Sequence, residues 1–177
     1  MYVKSVKYLG NTENAVFKYI CKKYIMTLEL KKFDMRSITF RPDENKGPVI
    51  VLIGRRDTGK TFLVKDLLFH HQDIPIGTVI SGTEAGNGFY GKLVPKLFIH
   101  EEYNTVIIEN ILRRQKTVMK QMQKEMEAYK KTTIDPRTFV ILDDCLYDNT
   151  WARDKLMRSL FMNGRHWKVM LIITMQY

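Results

Sequence analysis

The sequence predicts an α/β fold in which a mostly parallel sheet is flanked by helices, and three stretches carry that expectation. The apolar run Val49-Ile50-Val51-Leu52-Ile53 passes through a glycine turn into the helix-like segment Phe62–Phe69. Thr138-Phe139-Val140-Ile141-Leu142-Asp143-Asp144 is a second apolar run, ending in two carboxylates, and Lys168–Thr174 is a third. Short unbroken apolar runs separated by longer helical patterns belong to parallel strands covered by helices. With 177 residues, 45% of them hydrophobic, the chain can bury one sizeable core, so a single α/β domain with extensions is expected.

Taken in order, residues 1–25 mix Tyr, Lys and short apolar patches without a clear period and read as an N-terminal extension, with the domain proper over residues 26–177. Thr27-Leu28-Glu29-Leu30 and Ser37-Ile38-Thr39-Phe40 alternate enough to predict short strands, and the turn-rich Arg41–Pro48 follows. Val49–Ile53 is expected to be buried on both faces, as parallel strands usually are. A helix from about Lys60 to His70 comes next. Gly77–Ser81 reads as another strand, and the loop Gly82–Gly88 lies at its carboxyl end, the edge of a parallel sheet where ligand sites gather.

A long polar helix is predicted from about Asn104 to Lys131, with Ile108, Leu112, Gln115, Met119, Met122, Met126 and Tyr129 at a 4-3 spacing. That stripe fits packing on its own domain first, with a coiled-coil-like contact with another subunit as the sharper alternative. Arg113, Arg114, Lys116, Lys120, Lys124, Lys130 and Lys131 on the same helix fit a solvated face or a contact with a DNA backbone. After Thr138–Asp144, a helix over Thr150–Met162 is expected, capped by Asp148 or Asn149. The chain turns at Asn163-Gly164 and enters the strand Lys168–Thr174, with Gln176 just past its end. A parallel sheet normally continues from such a strand into a covering helix or further strand, so the C-terminal part of the domain is expected to be missing beyond Tyr177.

The balance of 29 Lys+Arg against 19 Asp+Glu leaves a formal charge of +10, and a pI near 9.6 favours polyanionic partners, nucleic acid or anionic lipid. Cys21 and Cys145 are too few for a disulfide framework or a zinc cluster and fit a reducing compartment, Cys145 as a small packed apolar residue. His70, His71, His100 and His166 show no ligand spacing. No stretch approaches the roughly 20 apolar residues that span a bilayer, and Lys4, Lys7, Lys18, Lys22 and Lys23 interrupt the N-terminus.

Gly54-Arg55-Arg56-Asp57-Thr58-Gly59-Lys60-Thr61 spells G-x-x-x-x-G-K-T between a strand and a helix. The pattern implies nucleotide binding, because the strand delivers the chain into a tight turn and the helix aims its free N–H groups at phosphates. Gly54 and Gly59 permit the turn and close approach, Lys60 sets a cation against the β and γ phosphates, and Thr61 offers a hydroxyl to Mg2+. Asp57 puts a carboxylate into an anion-cradling loop and is expected to point outward, with Arg55 and Arg56 keeping the loop net positive. Asp143, at the tip of its strand, is expected beside the loop, where it holds the Mg2+ hydration shell or ligates the metal. Asp144 is left to position water or to cap the next turn. Arg165 enters a strand at the opposite sheet edge from its own phosphate loop, which fits a finger supplied to a neighbouring subunit or a surface ion pair. Gln176 fits a γ-phosphate sensor or a plain surface amide. The cofactors implied are ATP and Mg2+.

Together, Ile53–Thr61, Ile141-Leu142-Asp143-Asp144-Cys145, and Phe161-Met162-Asn163-Gly164-Arg165-His166 leading to Thr174-Met175-Gln176-Tyr177 closely resemble the DNA-packaging ATPases of large nucleocytoplasmic DNA viruses, members of the FtsK/HerA class of P-loop motors. The resemblance covers about Met26 to Tyr177, and Asn163-Gly164-Arg165-His166 is its most discriminating stretch. It implies a RecA-like P-loop NTPase core, assembly as a homo-oligomeric ring, and ATP hydrolysis that moves double-stranded DNA into a capsid. Capsid or portal components as partners, and the virion or host-cell cytoplasm as location, follow from the same likeness. In this class an arginine before the fourth core strand acts across the subunit interface and a glutamine ends that strand, positions matched by Arg165 and Gln176. The unplaced first 25 residues and the missing C-terminal continuation depart from the pattern. Two other readings stand beside it: a noncatalytic nucleotide-binding or assembly subunit, and a small-molecule phosphotransferase, for which the sequence offers no acceptor pocket or lid.

Overall fold

The computed structural model describes residues 34–40, 46–145 and 150–176, together with the backbone of strands β1 (Val16–Cys21) and β2 (Tyr24–Glu29). Residues 1–34 and 35–177 form two separate units. In the first, β1 and β2 pair antiparallel with Ile20 opposite Ile25. The strand expected at Thr27–Leu30 thus starts earlier, at Tyr24, with Leu30 outside the described residues. Val16–Cys21 is extended although it lacks an apolar period, because ladder pairing uses backbone groups that every residue carries.

In the second unit the order is β3 (Val49–Ile53), α1 (Lys60–His70), β4 (Ile76–Ser81), α2 (Glu84–Asn87), β5 (Ile99–His100), α3 (Thr105–Tyr129), β6 (Thr138–Asp143), α4 (Thr150–Arg153), α5 (Lys155–Asn163) and β7 (Val169–Met175). The sheet runs β3-β7-β6-β4-β5 and every neighbouring pair is parallel. Consecutive residues of a strand point to opposite faces, and the two faces carry two cores. Val140 and Leu142 of β6 join Ile108, Ile111 and Leu112 of α3 and Met157 and Leu160 of α5. Phe139 and Ile141 face the other way, onto Val64, Leu67 and Leu68 of α1. The fold class read from the sequence is the one observed, five parallel strands between helical layers.

Two local expectations are corrected. Ser37–Phe40 forms no strand: Met35–Ser37 is a single 3-10 turn, closed by the Ile38 N–H donating to Met35 O at 3.1 Å. The alternation there serves packing, since Met35, Ile38 and Phe40 lie against the α1-side core. Nor is β3 buried on both faces. Among the described residues it pairs only with β7, and Val51 and Ile53 are 38% and 63% exposed. Unbroken apolar character reports what a strand can bury, whereas its rank in the sheet decides what it does bury.

The stripe of α3 divides along its length. Asn104 caps the helix, its side chain accepting from Val106 N–H at 2.8 Å. Ile108 and Leu112 are buried on the sheet, Met119 and Met122 are half-buried, and Met126 and Tyr129 are exposed, so the first half packs on its own domain and the last turns leave it. Gln115, the polar interruption, is fully buried and its amide donates to Pro136 O at 2.8 Å and Trp167 O at 2.7 Å. One side chain thereby ties α3 to the entrances of β6 and β7. Gln115→Leu is expected to cost about 2–4 kcal/mol, because two carbonyls lose their donor while the volume is nearly kept. A urea midpoint equal to that of the wild type would show that these bonds contribute nothing.

The helix expected over Thr150–Met162 is broken into α4 and α5 by Asp154. Asp154 caps α5 by accepting from Leu156 N–H at 2.8 Å, and its other oxygen accepts from Tyr103 at 2.6 Å and Thr105 at 2.8 Å, which joins the starts of α3 and α5. Asp148 and Asn149, expected as caps, lie outside the described residues. Among the described residues no helix is long and apolar enough to cross a membrane.

Candidate functional site

The parallel register decides which residues meet. Ile53 pairs with Met175, Thr174 with Asp143, and Asp143 with Ser81, so the carboxyl ends of β3, β7, β6 and β4 align at one edge. The turn after β3, the two carboxylates after β6 and the residues after β7 therefore converge on that edge. Gly54 N–H donates to Met175 O at 3.2 Å, fastening the start of the turn to the end of β7. A cleft of about 690 Å3 opens there, lined among others by Gly59, Lys60, Thr61, Gly82, Asp144 and Gln176.

The turn is shaped by its glycines. Gly59 has φ +86, a left-handed conformation that a Cβ disfavours, and it leads directly into α1. A Cβ on Gly54 would meet the Thr58 hydroxyl at 2.9 Å. That hydroxyl donates to Arg55 O at 2.8 Å, and the Lys60 ammonium donates to Gly54 O at 3.0 Å and Arg55 O at 2.9 Å, so the loop is wound around its own lysine. Lys60 is 8% exposed, whereas Arg55, Arg56, Asp57 and Thr58 are exposed and Thr61 is half-buried. Asp57 takes φ +59, which short polar side chains tolerate.

Asp143 is 2% exposed, and the Thr174 hydroxyl donates to its Oδ1 at 2.5 Å. Burial, reinforced by the neighbouring Asp144, pushes its carboxyl up, while Thr174, Tyr90 and the Lys60 cation pull it down. The same threonine oxygen accepts from Asp144 N–H at 3.2 Å. Asp144 sits at φ +49, its Oδ2 accepts from the Gln176 amide at 2.5 Å, and its Oδ1 is buried without a partner. Lys60, Thr61, Asp144 and Gln176 thus share one cleft, which Asp143, buried at the tip of β6 next to Asp144, does not itself line.

Arg165 is not among them. It is exposed in the single 3-10 turn Gly164–Trp167 that precedes β7. The seven residues of β7 separate it from the cleft, roughly 20 Å at about 3.3 Å per residue, farther than an arginine side chain reaches.

Sequence reading missed three contributors. Thr174 joins the Asp143 carboxylate to the Asp144 backbone N–H, and its signal was a polar residue at the tip of an otherwise apolar strand. The loop Gly82–Gly88, placed by the sequence at the ligand-bearing edge, holds α2, and Asn87 and Thr83 there line the cleft. Tyr90, from a segment with no periodic signal, is buried, and that burial, with Asp143 adding to it, pushes its phenol up.

Among the described residues no group of three or more His, Cys, Asp or Glu is gathered to hold a metal. The donors at the cleft are a hydroxyl and carboxylates, hard oxygen ligands of the kind Mg2+ takes when it keeps waters and shares substrate phosphates.

No protein-family model matches the chain. Curated relatives do. The chain is 37% identical over 150 residues to an uncharacterized protein of Acanthamoeba polyphaga mimivirus, covering 84% of this chain and 50% of that protein. It is 40% identical over 152 residues to an uncharacterized protein of Invertebrate iridescent virus 6, covering 84% and 55%. It is 38% identical over 151 residues to one of Frog virus 3, covering 81% and 44%. Its curated relatives are proteins of large DNA viruses. The chain spans about half the length of these relatives. Among solved structures, the cytoplasmic domain of the Thermomonospora curvata type VII secretion ATPase EccC is similar at 11% identity and a TM-score of 0.39, over 86% of this chain and 17% of that one, a likeness too low to carry an argument.

Proposed function

We propose that this chain binds ATP with Mg2+ and hydrolyses it, with water as phosphoryl acceptor, as the motor domain that packages double-stranded viral DNA into capsids. The single observation that supports this reading best is the convergence of the lysine-bearing glycine turn and the Asp143-Asp144 pair on one edge of a parallel sheet. In the bound state Lys60 exchanges its bonds to Gly54 O and Arg55 O for phosphate oxygens, and the N–H groups at the start of α1, which no side chain caps, complete the anion cradle. Thr61 and Asp143 would hold Mg2+, which would supply positive charge against the phosphates. Asp144 orients the attacking water, and Gln176, already bonded to it, reports the γ-phosphate to that carboxylate. Arg165, out of reach of its own cleft, serves the site of a neighbouring subunit in a homo-oligomeric ring.

The DNA partner is supported by charge. Lys120 and Lys124 lie exposed on the far half of α3 and Lys130 and Lys131 lie exposed just past its end, whereas Lys116 is drawn over the Trp167 ring at 5.3 Å and Arg113 is paired with Glu109 at 2.6 Å. Portal or capsid components as partners, and the host-cell cytoplasm or virion as location, belong to the same proposal, supported by the viral relatives.

ATP turnover measured against added duplex DNA at several salt concentrations tests the reading. DNA is expected to raise the rate, and the DNA dependence is expected to weaken with salt, since each neutralised phosphate contributes a slope of about 0.9 in log–log form. Tight ATP binding with no turnover under any of these conditions would select the noncatalytic subunit instead. That second reading draws on the distance of Arg165 from its own cleft.

A further inference from the structure

The roles assigned so far to the cleft concern phosphate, metal and water, and one residue lining it serves none of them. Phe62 directly follows Thr61 on α1 and borders the cleft. Every other described residue lining the cleft is a glycine or carries a polar or charged side chain. Phe62 is 72% exposed, so its ring forgoes the stabilisation that burial brings. Its place on the helix keeps it out of the core. At 3.6 residues per turn each residue advances by about 100°, which turns Phe62 away from the face where Val64, Leu67 and Leu68 are buried.

The ring is nonetheless held. It meets Phe89 edge-to-face, with centroids 6.4 Å apart and planes at 76°, and Phe89 meets the buried Tyr90 in the same manner at 5.0 Å and 81°. Phe89 is half-buried against the α1-side core, and its N–H donates to Asn87 Oδ1 at 3.0 Å. Three rings therefore run from the core out to the cleft. Whichever ring of the outer pair supplies the edge, at least one face of Phe62 stays clear of Phe89.

A nucleoside triphosphate needs more than a phosphate cradle. The glycine turn and the start of α1 match its phosphates, whereas its base is a flat ring system that binds through a π face. The cleft, at about 690 Å3, falls within the roughly 300–1,000 Å3 of sites that enclose a whole small ligand, and Phe62 is the aromatic surface among its described lining residues. Stacking on an aromatic side chain suits any base, because every base has a π face.

We propose that Phe62 is the platform on which the nucleobase stacks, with Phe89 holding its ring in place, so that the cleft binds a nucleoside triphosphate and not phosphate alone. The proposal rests on the nucleotide reading of the cleft and adds to it the residue that recognises the base.

The test measures Mg2+-dependent binding of ATP and of inorganic tripolyphosphate, which carries the phosphates without a base, by calorimetry on the full chain. Phe62→Ala is expected to weaken ATP binding by about tenfold or more and to leave tripolyphosphate binding unchanged. Phe62→Tyr keeps a ring of the same shape and is expected to bind ATP as the wild type does. A Phe62→Ala variant that binds ATP like the wild type, one that loses tripolyphosphate in the same proportion, or a Phe62→Tyr variant as weak as Phe62→Ala overturns the role of Phe62 alone. A wild type that binds no ATP overturns the nucleotide reading itself, and the role of Phe62 with it.

Discussion

Lys60→Ala is expected to reduce ATP turnover by about a hundred- to a thousandfold, the cost of removing one preorganised charge from a phosphoryl-transfer site, and to weaken ATP binding in parallel. The fold is expected to survive. Lys60 is not among the apolar core residues, and the two carbonyls its ammonium now satisfies, Gly54 O and Arg55 O, belong to a half-buried and an exposed residue of the turn. Water replaces the lost donor there at a small cost, about 1 kcal/mol or less. Left-handed Gly59 and the start of α1 do not depend on the lysine side chain. Circular dichroism and a denaturation midpoint near wild type, together with lost binding of a labelled ATP analogue, are the expected pair of results. Undiminished turnover would exclude the cleft as the active site.

Asp143→Asn is expected to act in opposite directions on stability and on function. Burial holds the Asp143 carboxyl above its ordinary range, with the adjacent Asp144 adding to the effect. A carboxyl whose folded value is raised takes up protons on folding. Its contribution to stability is therefore full below the ordinary carboxylate range and is lost as pH rises through the folded value. Asparagine keeps the acceptor for the Thr174 hydroxyl and does not titrate, so the metal-free variant is expected to be at least as stable as the wild type at neutral pH and to lack that loss. Mg2+-dependent nucleotide binding is expected to fall by about a hundredfold, since a neutral amide is a poor ligand for a hard divalent cation. Denaturation across a pH series and Mg2+ titrations on the same preparation check both halves. A variant that is destabilised at neutral pH would show that the Asp143 charge supports the fold, contrary to its burial.

Much of this arrangement is legible in the chain because it is local. A strand, a glycine turn with its lysine and the first turns of a helix occupy consecutive residues, so covalent spacing alone brings Lys60 and Thr61 to the end of β3. The apolar run before Asp143-Asp144 likewise requires a strand with carboxylates at its tip, and α1 begins and ends where its pattern says. Gln115 is a different case. Its place in the stripe was visible, but the two carbonyls it satisfies lie 21 and 52 residues away, and only folding brings them within reach.

What the sequence by itself determined is strands β3, β4, β6 and β7, helices α1 and α3, and the chemistry of the turn after β3 and the carboxylates after β6, because period, turn residues and caps act over a few residues. The tertiary structure alone decided that β3 stands at the sheet edge with Val51 and Ile53 uncovered, and that the Thr174 hydroxyl joins the Asp143 carboxylate to the Asp144 N–H. These depend on strand order and register, which arise from contacts between distant segments. No local pattern contains them, since an apolar residue reads the same whether a neighbouring strand covers it or not.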